Sequence, residues 1–451
     1  MSGDGAQFHD DCPGQQGLPG RAGLEYQRMG VAADTVLRVG LLLMGAGTGG
    51  YRIIRAMKRA GRALGFDRLD AVISVTTITC TFHQGQRFRT VVATQDSPGV
   101  DASRIEAIET LTHRLDRKVD AAWLGARLDE IERGVVKRWS FPLLVLAAGC
   151  ACASFAVLNR FAWADVAVVA VAAALGQAVR GALVGRHVRQ LGAIAAAVVA
   201  ACLVYWAVMG ALSWLKLVDP ASAASGFVAS VLFVVPGFPL FSALIDLSRF
   251  DIAAGLSRLA YAVTIIAVSA FAVAMVSAPT GMHPPAHQPP ASDWRWFAVA
   301  TVASAVGIAG FALLFNSSRR MVLLAAGLGA VANVARLGLL AAGVSAYGAA
   351  FCGGLAIGLM GAAAAKVARL PRITVTVPAA VIMVPGPAMF ASVYALNAGD
   401  MQQAVTAAAT ASMTVLAIGT GLVAARMLTD RDWVLGRYID LDKPLRDQGG
   451  R

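Results

Sequence analysis

Val235-Pro236-Gly237-Phe238-Pro239-Leu240-Phe241 interrupts one long apolar run, and Val384-Pro385-Gly386-Pro387-Ala388-Met389-Phe390 interrupts another, 149 residues later (385 − 236). Proline removes a helix hydrogen bond and glycine loosens the backbone, so Pro-Gly breaks a helix. In lipid a broken helix is tolerated only where protein or a wet cavity covers its free backbone groups. Paired breaks in two halves of a membrane chain point to a transporter's binding site.

The surroundings of the breaks are membrane-like. The chain has 451 residues, of which 57% are hydrophobic and 15% charged, with mean hydropathy +0.63. A soluble domain carries about 25% charged residues. The net charge of +12 sits at the ends of apolar runs, which is the positive-inside pattern and excludes a nucleic-acid surface. The six cysteines form no C-x-x-C pair, so neither a disulfide framework nor a metal site is read from them. No secretory leader is read at the N-terminus.

From Phe141 onward ten apolar spans of bilayer length follow, approximately 141–159, 162–180, 191–213, 223–244, 259–278, 295–315, 321–341, 348–365, 374–395 and 402–424. Alternate loops are rich in Arg and Lys, which places both termini in the cytoplasm. Each break falls fourth in a block of five. An odd block reverses direction when repeated, so the expected fold is a polytopic α-helical membrane protein built as two inverted five-helix repeats. The segments are a disordered lead-in at 1–30, a cytoplasmic α/β domain at 31–138, repeats at 139–280 and 295–426, an outside linker at 281–294 and a cytoplasmic tail at 427–451. Within the α/β domain, helices are read around 51–64, 105–115 and 124–135, and a strand at 70–82 turns at His83–Gln86 into a returning strand at 87–93.

Candidate site residues start with the breaks themselves: Pro236, Gly237, Pro239, Pro385, Gly386 and Pro387. Ionisable groups inside the spans are few and therefore informative. Asp246 could carry a proton, bind a substrate ammonium or pair with Arg249. Arg336 faces either a cavity or the outer interface. Asn333 and Gln177 hydrogen-bond to substrate or between helices, and Asp165 reads as interfacial. Thr406, Thr410, Ser412 and Thr414 form a polar stripe. Gly45-Ala46-Gly47-Thr48-Gly49-Gly50 matches G-x-G-x-x-G, but Asp70 begins the next strand instead of ending it, and a tight helix connection is the simpler reading. His83 and His113 have no second ligand at metal spacing. Ser74, His113 and Asp116 lack a nucleophile elbow. No cofactor or metal is expected.

The run Val39–Arg52, followed by Met57-Lys58-Arg59-Ala60-Gly61-Arg62-Ala63-Leu64-Gly65, resembles the threonine/serine exporter family. Gly45, Thr48 and Arg52 fall on its N-domain motif when one inserted residue is allowed; Met44 stands where the family has Ser. Val75–Thr79 and the late V-P-G are also similar to it. The resemblance implies a non-enzymatic exporter of threonine and serine across the inner membrane, driven by the proton motive force. Some family members are split into two chains and associated with a small dicarboxylate such as succinate, which is the alternative cargo; a hydrolase acting through the N-domain is the remaining one. The partners then expected are a small polar amino acid or organic acid, the bilayer and, as an option, a second copy in a homo-oligomer.

Overall fold

The computed structural model describes residues 20–95, 99–135, 137–218, 226–281 and 293–435. The chain begins with α1 (Gly20–Gly45) and α2 (Gly50–Ala63), then β1 (Arg68–Ile73), β2 (Thr77–Gln84), β3 (Arg87–Thr94), α3 (Ala102–His113) and α4 (Ala121–Gly134). The three strands form one antiparallel sheet in the order β1-β2-β3, with Cys80 opposite both Ala71 and Val91. Alternation along β2 buries Ile78, Cys80 and Phe82 in one core with Leu43, Ile53, Met57 and Ile108. Burial there pushes the Cys80 thiol up to about 12.

Two sequence expectations change here. The single strand read at 70–82 is two strands, because the Ser74 hydroxyl accepts the Thr76 and Thr77 N–H groups and closes a turn. The lead-in read as disordered through residue 30 is helical from Gly20, and Met29 is buried; residues 1–19 lie outside the described residues.

The remainder is helical. The first half holds α5 (Phe141–Leu158), α6 (Trp163–Gly185), α7 (Gln190–Trp214), a 3-10 helix (Ala229–Val234), α8 (Gly237–Leu247) and α9 (Ile252–Thr280). The second holds α10 (Trp294–Leu314), α11 (Arg319–Ala341), α12 (Ala346–Ala368), α13 (Ile373–Val381), α14 (Gly386–Asn397) and α15 (Met401–Thr429), with the short α16 (Arg431–Val434) after it. Among the described residues eight helices are long and apolar enough to cross a membrane, and the bent pair α13–α14, kinked by 62°, makes nine. The expected fourth span is not a helix of spanning length. It is a 3-10 turn and an 11-residue helix, because Pro236 and Gly237 end one segment before the next begins. The joint expected at 281–294 lies mostly outside the described residues.

Large apolar side chains on the long helices point outward: Leu323 is 74% exposed and Phe271 68%. In water such faces would form an unstable patch; against lipid they are the matching surface. The chain is a polytopic helical membrane protein.

The two halves pack alike. The 3-10 helix is enclosed by α5, α6 and α7, and α13 by α10, α11 and α12. All residues of both enclosed segments are buried. Across the middle, α8 packs on α13 and α15, while α14 packs on the 3-10 helix and α9. The bounds of α6 and α11 differ by 156 at both ends, and those of α9 and α15 by 149 at both ends.

Candidate functional site

The breaks are built from the same turn. Pro236 has φ −80° and ψ 53°, and Pro385 has φ −80° and ψ 68°, both in the inverse γ-turn well. The Gly237 N–H donates to the Val235 carbonyl at 2.8 Å, and the Gly386 N–H to the Val384 carbonyl at 2.9 Å. Before each proline, Val235 N–H donates to Leu232 and Val384 N–H to Val381. After it, Leu240 N–H donates to Pro236 and Met389 N–H to Pro385. Each bond in one half recurs 149 residues on. Pro239 and Pro387 sit in the first turns of α8 and α14, where a missing N–H forfeits no helix bond. Among the described residues the Phe238 and Ala388 N–H groups have no backbone partner.

The breaks also touch each other reciprocally. A Cβ on Gly237 would lie 2.5 Å from Val381 Cγ2, and one on Gly386 3.0 Å from the Leu232 methyls. Leu232 and Val381 are themselves 149 apart. Each glycine thus admits the last residues before the other break, a close approach that a side chain would block.

Beside the first break lies a cavity of about 190 Å³, walled by Phe233–Pro239, Arg180 and Gln190 from α6 and α7, Arg258 and Tyr261 from α9, and Met44 and Gly47 from the N-terminal unit. It therefore opens where that unit meets the helices.

Asp246 does not pair with Arg249. Its carboxylate accepts a hydrogen bond from Arg258 and a second, at 3.1 Å, from the Gly50 N–H. Arg258 also donates to the Thr48 carbonyl at 2.8 Å. The two charged side chains are 1% and 3% exposed, so this is a buried ion pair completed by backbone from another unit, which offsets its desolvation. Gly49 allows the approach, since a Cβ there would lie 2.8 Å from Asp246 Oδ1. Arg249 instead lies over the Tyr51 ring, 3.8 Å from its centroid, and donates to the Trp433 carbonyl.

The N-domain motif is thus a docking loop. Gly45 ends α1, Gly47 turns the chain at φ +85°, and α2 starts at Gly50. Thr48 acts through its carbonyl, and Arg52 bonds both oxygens of Glu109, at 2.7 and 3.0 Å. Two further loops of the unit dock as well. Val75 N–H donates to Ser257 of α9. Asn316, in the α10–α11 turn, accepts from Arg138 N–H and Ser103 and donates to Asp101.

In the second half, Arg336 Nε donates to Asn333 Oδ1 at 2.9 Å, and Asn333 Nδ2 donates to Ser304 at 2.8 Å. Arg336 lies beside the second break: a Cβ on Gly353 would meet both Met383 Sδ and Arg336 Cβ. The breaks and the Asn333–Arg336 pair therefore gather at the centre, whereas Asp246 belongs to the docking contact.

Other sequence candidates are placed apart. Asp165, read as interfacial, is 1% exposed and accepts a 2.6 Å bond from Tyr205, whose oxygen accepts the Gly226 N–H. Thr406, Thr410 and Thr414 bond to carbonyls four residues back in their own helix. His113 faces the Glu109 carbonyl and Arg59, and burial, then Arg59, hold its imidazole below the ordinary range. Ser74 is occupied by its own turn.

Two family models match in sequence: "Putative threonine/serine exporter" over residues 34–278 and "Threonine/Serine exporter, ThrE" over residues 300–428. Among curated proteins, the chain is similar to the "Probable succinate transporter subunit YjjP" of Klebsiella aerogenes, 28% identical over 229 residues, which are 50% of this chain and 84% of that protein. The protein of the same description from Escherichia coli K12 is 27% identical over 234 residues, covering 50% and 86%. No solved structure matches.

Proposed function

The chain belongs to the threonine/serine exporter family, in a form that carries both family segments on one polypeptide, and from that premise we propose a secondary exporter of threonine and serine driven by the proton motive force. The observation that carries the proposal is the reciprocal crossing of the two breaks, Gly237 against Val381 and Gly386 against Leu232. Substrate binds at that crossing. The N-termini of α8 and α14 offer the free Phe238 and Ala388 N–H groups to a carboxylate, in the favourable sense of the helix dipole.

We read the halves as inverted repeats that rock about the crossing. The direction of equivalent helices supports this. The α11 helix leaves the N-terminal unit at Asn316, whereas α6 arrives at it, with Arg180 sharing a cavity wall with Met44 and Gly47. Charge placement supports a cytoplasmic side for that unit and both termini, and family membership supports an inner membrane. The unit acts as a gate through the Asp246–Arg258–Thr48 contact. Asp246 is held by Arg258 and Gly50, so the coupling proton is assigned to Asp165, whose side-chain partner, Tyr205, is neutral.

A second reading, export of a small dicarboxylate such as succinate, is favoured by the names of the two curated relatives. Counterflow in proteoliposomes with labelled threonine, serine and succinate, with and without a pH gradient, separates the readings. Threonine and serine exchange, with accumulation under a pH gradient, is expected. Succinate alone would select the second reading, and movement of none of the three would end both. Asp165→Asn should keep exchange and lose the pH-gradient stimulation.

A further inference from the structure

We propose that the cavity beside the first break is a carboxylate-binding site whose cation is Arg180, and that Arg336 is its repeat-related counterpart on the opposite side of the crossing. The inference rests on the exporter reading and supplies its substrate chemistry.

The first support is positional. Arg180 and Arg336 are 156 residues apart, the same offset that relates α6 to α11. Gln177 and Asn333 share that offset, so each half carries an amide and an arginine three residues apart in its second helix. An arginine in a membrane helix is costly to insert, and two at one repeat position point to function. Each also sits by its own break. Arg180 shares the cavity with Val234, and Arg336 abuts the same glycine as Met383; Val234 and Met383 each lie two residues before the break proline. Seen from the N-terminal unit the two are on opposite sides. Arg180 walls a cavity with Met44 and Gly47, while Arg336 lies 17 residues along α11 from Arg319, roughly 25 Å of helix.

The second support is electrostatic. Among the described residues no Asp or Glu lines the cavity. Arg258, which does, is already neutralised by Asp246. Among the described residues the Arg180 side chain has neither ion pair nor hydrogen bond, and Gln177 Oε1 is buried without a partner. The wall is therefore cationic through Arg180, in an apolar setting where an unpaired charge is costly. A carboxylate matches a guanidinium with two parallel bonds, and the N-terminus of α8 at Gly237 and Phe238 completes the same wall. The space far exceeds the ~10–15 Å³ that a single water needs.

The carboxylate could belong to an amino acid or to a dicarboxylate, and the test separates them. Full-length protein in detergent is titrated with serine, threonine and succinate, and with serinamide and succinamide as probes that lack the carboxylate; counterflow is measured in parallel. At least one acid should bind, and its amide should not. Arg180→Gln should weaken that binding at least 10-fold. Arg180→Lys, which keeps the charge without the fork and covers the case in which Arg180→Gln fails to insert, should weaken it about 3- to 10-fold. Arg336→Gln should bind within about 3-fold of the native protein yet lose at least 10-fold in counterflow. Binding that ignores Arg180→Gln and Arg180→Lys, equal binding of acids and amides, or binding of no acid overturns the site. Binding through Arg180 without any transport would leave the site standing and end the exporter reading. Transport that survives Arg180→Gln unchanged would do the reverse.

Discussion

At Pro236 and Pro385 the backbone makes one turn twice, bond for bond, yet the side chains around the two turns differ in a patterned way. Asp246 and Arg258, the buried pair beneath the N-terminal unit, fall on Ala395 and Ala407 when carried 149 residues forward. Asp165 falls on Met321 and Ala148 on Ser304 when carried 156 forward. The amide and arginine of the second helix, by contrast, are kept in both halves. The difference separates two kinds of residue. Those needed by both faces of the crossing repeat, and those needed by one face, such as the docking pair, occur once.

The comparison can be broken most severely at the turns. Replacing both Pro236-Gly237 and Pro385-Gly386 with Ala-Leu should abolish counterflow, by at least 100-fold, while the protein still inserts and elutes as a single species. Native rates from such a variant would show that the repeated turn is not a working part.

Next comes the docking pair. Asp246→Ala leaves the Arg258 charge buried and unpaired and should cost about 3–5 kcal/mol in thermal unfolding. Adding Arg258→Ala copies the second half and should recover most of that loss. A double variant as unstable as the single one would mean that the pair does more than neutralise itself.

The glycines give a finer contrast. At Gly237 a methyl meets the stiff Val381 at 2.5 Å, and at Gly386 it meets the mobile end of Leu232 at 3.0 Å. Gly237→Ala should therefore cost about 1–3 kcal/mol and Gly386→Ala less than about 1 kcal/mol. Equal losses, read from melting midpoints, would argue against the tighter first approach.

Smallest is Ser304→Ala, which gives the second half the Ala148 of the first. Freeing Asn333 from its 2.8 Å bond should cost about 1 kcal/mol and loosen Arg336.

Much of this was readable from the chain. Apolar length marked most spans, Pro-Gly marked both breaks, and period-3.6 and turn signals located α2, α3, α4 and the β2–β3 hairpin. What escaped had physical causes. The fourth span failed as a helix because a tight turn at Pro236 leaves too few residues on either side. For Asp246 the sequence offers Arg249, its neighbour, as the ion-pair partner beside a proton or substrate role, while the partner in the fold lies across the α8–α9 turn and a further contact comes from a loop near residue 50. Asp165 near a helix start looks interfacial until Tyr205 arrives from α7. Arg180, at the end of an apolar run, reads as a loop charge. Its kinship with Arg336 is hidden because the breaks repeat at 149 and the second helices at 156, the first half having seven more residues before its break.

The N-terminal unit is fastened at once to Asp246 on α8 and to Asn316 beyond α10. A body clamped to both sides of a joint sets how far the joint can travel. The Asp246 clamp is a buried charge pair, and its bonds strengthen in a low dielectric; the Asn316 clamp includes exposed and half-buried bonds that water can replace. If the halves rock as proposed, the weaker clamp is the one to open first, and the unit then rides with α8 while its contact at Asn316 engages and releases.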